Sequence, residues 1–128
     1  MVREAYDEVY GSEHEPVIIE GVAIEEDAYQ KASELWQHPE IDCIFSNGDD
    51  MAAGFLQVYE EAGKQLPFIM GQENMLAGRL LGLSTIDNKS YQLGHESFKQ
   101  VLSEEKRTIV LKSEFIERWK FCSFAKRY

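Results

Sequence analysis

Two stretches of this chain share one layout: "IDCIFSNGDDMAAGF" at residues 41–55 and "LPFIMGQENMLAG" at residues 66–78. In each, a short apolar run breaks into polar and acidic residues and passes at once into helical spacing. A brief continuous apolar run bounded by turn residues fits a strand buried on both faces, the kind found in parallel sheets. Parallel strands need long crossover connections, and helices supply them. The layout therefore predicts an α/β domain of three layers, with a mainly parallel sheet and helices on both faces. In open sheets of this sort, solutes settle beyond the carboxyl ends of the strands. Both polar clusters, Asn47–Asp50 and Gln72–Asn74, are expected there.

The remaining chain fits the same alternation. "EPVIIEGVAI" predicts a first strand over Pro16–Gly21, which, if parallel, adds the turn at Gly21–Ala23 to the same edge. "EEDAYQKASELWQH" places Ala28, Ala32, Leu35 and Trp36 at helical spacing, with acids in its first turn and Pro39 as its stop. Asp49 or Asn47 is expected to cap the next helix, whose stripe is Met51, Phe55, Val58, Tyr59 and Ala62, with Gly63 at its end. "NMLAGRLLG" reads as a short helix or turn, and "LSTID" as a strand or an extended crossing segment. "KSYQLGHESFKQVLSEE" reads as a helix bearing Tyr91, Phe98, Val101 and Leu102, and "RTIVLKSEFIERW" as a long last strand.

Charge narrows the partners. Residues 1–50 hold 14 Asp/Glu against 2 Lys/Arg, a balance of −12, and residues 51–128 hold 9 against 11, a balance of +2. An acidic surface disfavours nucleic acid and anionic lipid, which need clustered Lys and Arg, and the basic residues of "KFCSFAKRY" are too few to reverse this. No apolar run reaches 18 residues and the N-terminus lacks a signal-like apolar core, so no membrane partner and a cytoplasmic location are expected. Cys43 and Cys122 make neither a disulfide framework nor a metal spacing, and Cys43 reads as a small buried hydrophobe. His14, His38 and His95 are scattered. No metal, cofactor or catalytic constellation is expected, and "NGDD" sets negative charge where a phosphate would sit.

Five pieces in order, "IFSNGDDMAAG", "IMGQEN", "LSTI", "YQLG" and "LKSEFIER", together with "AYDEVYG" near the start, resemble the C-terminal part of the effector domain in LacI-type transcriptional regulators. The resemblance spans residues 5–118. It implies the second lobe of a type I periplasmic-binding-protein-like fold, a Rossmann-like layered unit, with the helix-turn-helix headpiece and first lobe outside these 128 residues. It also implies that residues 90–112 belong partly to that first lobe, which leaves the apolar face of the 90–104 helix without its usual partners.

The same resemblance implies an effector site at Ala23, Asn47, Gly48, Asp49, Glu73 and Asn88. Glu73 stands where the family has a sugar-hydroxyl acceptor, and Asp49 matches the motif aspartate, which can also serve at the helix start. Gly48 replaces a polar contact and Ala23 removes a stacking platform. The effector-binding arginine of the family falls at Val2, or at Arg3 if the alignment slips. Met51, Phe55, Leu76, Leu80 and Leu81 match a subunit-pairing surface and imply a homodimer. The function implied is sensing of a small, sugar-like effector between lobes to control DNA binding by the headpiece. The alternative is a lobe of a periplasmic sugar-binding protein serving an ABC transporter.

Overall fold

The computed structural model describes residues 2–118 apart from positions 12, 14 and 39. Pro39, His14, Cys122 and the basic tail therefore lie outside the described residues, as does the side chain of Val2. Three strands, β1 (Cys43–Phe45), β2 (Phe68–Gln72) and β3 (Ser84–Asp87), run parallel and in sequence order. A short β4 (Glu114–Ile116) lies antiparallel beside β3. Ile44 stands opposite Ile69 and Gly71 opposite Thr85, so these four share one face of the sheet.

Helix α3 (Asp49–Glu61) covers that face. Its Phe55, Leu56, Val58 and Tyr59 join Ile44, Ile69 and Leu83 in one core cluster. Helix α2 (Glu25–Leu35) adds Ala28, Ala32 and Leu35, three of the four residues its apolar spacing indicated, while the fourth, Trp36, is 38% exposed. Its start is fixed by Asp27, whose Oδ2 accepts the Ala23 and Ile24 N–H groups at 2.9 and 3.1 Å. The two helices approach closely because Gly54 has no side chain: a Cβ there would stand 2.6 Å from the Glu25 carbonyl oxygen. Trp36, just past α2, is capped by the Lys64 ammonium 5.2 Å from its ring centre. Helix α4 (Leu76–Leu81) follows β2 and ends at Gly82, whose φ of 72° suits a residue without Cβ.

Two strands differ from the sequence reading. Pro16–Gly21 forms no strand and pairs with no ladder, and only Ile19 and Val22 of that region pack against the core. The edge it would need is the three-residue β1, which offers few hydrogen bonds against the entropy of ordering a partner. The long last strand is reduced to Glu114–Ile116 because β3, its template, is itself only four residues long. Capping also differs: Gly48 is the N-cap of α3, with no side-chain cap bond, and Asp49 is the first helical residue.

Two helices stand off the core. Helix α1 (Val2–Tyr10) leaves Val9 and Tyr10 exposed, although the Tyr6 and Tyr10 rings meet in a tilted contact with centres 4.9 Å apart. Helix α5 (Ser90–Leu102) buries none of its residues, and Tyr91 is 91% exposed. No helix among the described residues is long and apolar enough to cross a membrane.

The α2–α3 contact makes a sharp prediction. Gly54→Val should destabilise the fold by about 1–3 kcal/mol, because the added methyls meet helix backbone rather than a movable side chain. The urea midpoint of the variant against the parent protein measures this.

Candidate rim at the carboxyl ends of the parallel strands

Because β1, β2 and β3 are parallel, the turns that follow them open on one edge of the sheet. The turns are joined through Asp49, which is 0% exposed. Its Oδ1 accepts the Thr85 hydroxyl at 2.7 Å and its Oδ2 accepts the Met75 N–H at 2.6 Å. Thr85 Oγ1 in turn accepts the Asn74 N–H at 3.2 Å. One carboxylate thus binds the start of α3 to the turn after β2 and to the middle of β3. Two glycines make the space for it. A Cβ at Gly71 would lie 2.3 Å from Asp49 Oδ1, and one at Gly78 2.4 Å from Oδ2.

The turn so held is unusual in its backbone. Glu73 and Asn74 both have positive φ, 88° and 52°, a region that asparagine tolerates and glutamate rarely enters. Arg118 helps to hold it, donating to Asn74 Oδ1 at 2.5 Å and to the Leu83 carbonyl at 2.7 Å. The Glu73 carboxylate then sits between donors: Ser90 Oγ at 2.6 Å, Asn88 Nδ2 at 2.9 Å and, more weakly, Gln72 Nε2 at 3.4 Å. The Ser90 hydroxyl first and the Asn88 amide second hold its pKa below the ordinary glutamate value, against partial burial and the nearby Asp87 charge. Asp87 is also lowered, mainly by the Lys89 N–H, and the Lys89 ammonium pairs with both Asp87 and Glu114.

The residues singled out from the sequence separate into distinct environments. Asn47 is exposed at the end of β1, while Glu73 and Asn88 are half-buried and in contact with each other. Asp49 is different. Both oxygens are engaged inside the protein and no surface remains for a solute, so it acts as a brace for the turns. Gly48 is buried with the Met51 methyl 2.3 Å from where a Cβ would be, so a side chain there requires Met51 to move. Ala23 is exposed ahead of α2, and the parallel strand expected to carry it to this edge does not form. Arg3 pairs with Glu15 at 2.8 Å.

Among the residues marked for subunit pairing, Phe55 is only 5% exposed and lies in the core, and Leu81 and Met51 pack against it. The amphipathic stripe of α3 faces inward, which removes Phe55 from any outer surface. Leu76 and Leu80, one turn apart on α4, are 61% and 68% exposed. Cys43, read as buried, is on the exposed side of β1. Sequence reading passed over Gly71, Gly78, Thr85, Ser90 and Arg118. Gly71, Thr85 and Arg118 do fall within the pieces "IMGQEN", "LSTI" and "LKSEFIER", but nothing local in those pieces reports their contacts with Asp49 and Asn74. Among the described residues no group of three or more His, Cys, Asp or Glu is placed to hold a metal.

No protein-family model and no curated protein matches the chain. Solved structures do. A LacI family transcriptional regulator from Enterococcus faecium, with bound ribose, superposes with a TM-score of 0.79 at 25% identity, over 90% of this chain and 47% of that one. The fold is that of LacI-family regulators. A LacI-family transcriptional regulatory protein from Corynebacterium glutamicum gives a TM-score of 0.75 at 31% identity, over 90% of this chain and 50% of its own. A third LacI-family regulator, from Arthrobacter sp. in complex with lactose, gives 0.63 at 28% identity, over 74% and 41%. The chain spans about half the length of these LacI-type neighbours or less.

Two outcomes follow from the rim. Gly78→Ala should lower stability by about 1–3 kcal/mol, even though alanine is the better helix former by roughly 1 kcal/mol, because its methyl enters the space of the Asp49 carboxylate. A gain in the urea midpoint would show that the carboxylate is not fixed there. For Glu73 the folded pKa is depressed, so its stabilisation is present above the ordinary glutamate value and is lost as pH falls through the lowered one. Stability of Glu73→Gln should therefore fall less steeply on acidification across that window, as followed by thermal melts.

Proposed function

We propose that this chain is the second lobe of the effector-sensing domain of a LacI-type transcriptional regulator, and that its rim forms one wall of a crevice for a small polar solute. The observation that carries the reading is the parallel register of β1, β2 and β3, which brings Asn47, Glu73 and Asn88 to one sheet edge. The rim is rich in carboxylate and amide groups, and its nearby cations are already engaged, Lys89 with Asp87 and Glu114 and Arg118 with Asn74 and the Leu83 carbonyl. Such a surface suits neutral hydroxyl groups, which donate to Glu73 and exchange hydrogen bonds with the amides, and it disfavours anions. Ribose and lactose bound to two structural neighbours support a sugar-like effector.

In this reading, residues 90–112 belong partly to the first lobe, which accounts for an α5 with no buried side chain. The exposed pair Leu76 and Leu80, beside Met75, serves a homodimer contact. DNA is met only through a headpiece outside this chain. The effector acts by population shift: it binds the arrangement in which both lobes touch it, and so changes the spacing of the two DNA-reading heads. A periplasmic sugar-binding role is the lesser reading, because the named neighbours are regulators.

Calorimetry with ribose and lactose tests the site. The protein containing both lobes should bind one of them, and Glu73→Ala should weaken that binding about tenfold or more, the share of one hydrogen bond to a charged group. Equal affinity in the variant removes Glu73 from the site. For pairing, Leu76→Glu with Leu80→Glu should convert dimer to monomer in sedimentation, and an unchanged dimer would move the contact elsewhere.

A further inference from the structure

Helix α5 and the segment after it join the sheet through two crossings, outward at Asp87–Ser90 and back at Ser113–Ile116. Since α5 buries no residue, packing against the lobe does little to fix its direction. What does fix it is polar and concentrated at the crossings. Glu73 accepts the Ser90 hydroxyl with one oxygen and the Asn88 amide with the other, at 2.6 and 2.9 Å. Asn88 passes the restraint on, since its Oδ1 accepts the Ser113 hydroxyl of the returning segment at 2.8 Å. Lys89 has a positive φ of 57° at the N-cap of α5, a conformation that requires outside support in a residue with a side chain. Glu73 in turn stands on a turn held by Asp49, Thr85 and Arg118, so its carboxylate is anchored to the rigid part of the sheet.

We propose that Glu73 is the latch of a hinge formed by residues 87–90 and 113–114, holding α5 and the returning segment in one orientation through Ser90, Asn88 and Ser113. The latch is a property of the chain itself and does not depend on what the rim binds, so failure of the sugar titrations leaves it standing. Lys89 spans the same crossings through Asp87 and Glu114, but that pair is largely solvent-exposed at Glu114 and screened by water, which makes it the weaker tie.

Residual dipolar couplings of backbone amides in the weakly aligned protein test the latch. In the parent chain, α3 and α5 should fit a single alignment frame. In Glu73→Ala the α5 couplings should shrink to an order parameter below about 0.6 relative to α3, the range of flexible backbone, while α3 keeps its own values. The double variant Asn88→Ala with Ser90→Ala, which keeps the carboxylate and removes its donors, should do the same, and Lys89→Gln should have a smaller effect. The α3 couplings report whether each variant has kept its fold. Unchanged α5 couplings in both the Glu73 variant and the double variant, or loosening by Lys89→Gln alone, would overturn the proposal.

Discussion

A carboxylate taken out of water is tolerated only where each oxygen meets a donor, and Asp49 meets that condition with donors from two other parts of the chain. This bond set explains much of the lobe. It fixes where α3 starts relative to β2 and β3, and it requires glycine at positions 71 and 78. It also holds a turn whose backbone, at Glu73 and Asn74, is strained without such support. The apolar cluster of α2, α3 and the sheet supplies the bulk of the burial, but it is indifferent to where the polar turns end up. The carboxylate sets their geometry.

From this frame the route to function is short. Parallel strands bring their turns to one side, the Asp49 brace sets the height of the second turn, and Glu73 is left facing the crossing segment with its charge satisfied by hydroxyl and amide donors. A group so placed is suited to exchange protein donors for those of a hydroxylated solute. It also lies at the root of the part of the chain that has least contact with the core. The uncovered apolar side chains of α5 and of α4 are intelligible in the same terms, as surfaces that meet another lobe and another subunit in the proposed regulator.

Much of this was legible from residue order. Apolar runs ending in polar clusters marked β1 and β2, and the spacing of Ala28, Ala32 and Leu35 marked the buried face of α2. Parallel pairing followed from the alternation with helices. Less visible was anything that depended on distant partners. Asp49 looks the same in sequence whether it meets solvent, a solute or Thr85, and only the register of three strands decides. The stripe of α3 predicts an apolar face but not its direction; the resemblance alone puts Phe55 on a subunit-pairing surface, and it lies in the core. Pro16–Gly21 has strand composition yet lacks a sufficient template, and no local pattern reports the length of the edge it must join.

A double-mutant cycle on Asp49→Ala and Thr85→Val, read as urea-unfolding free energies, tests the central claim most directly. The brace predicts that the two losses are strongly non-additive, with a coupling of about 1–3 kcal/mol, because the hydroxyl and the carboxylate serve one another. Losses that add to within about 0.5 kcal/mol would contradict it, and the shared rim would then owe its geometry to something other than this buried carboxylate.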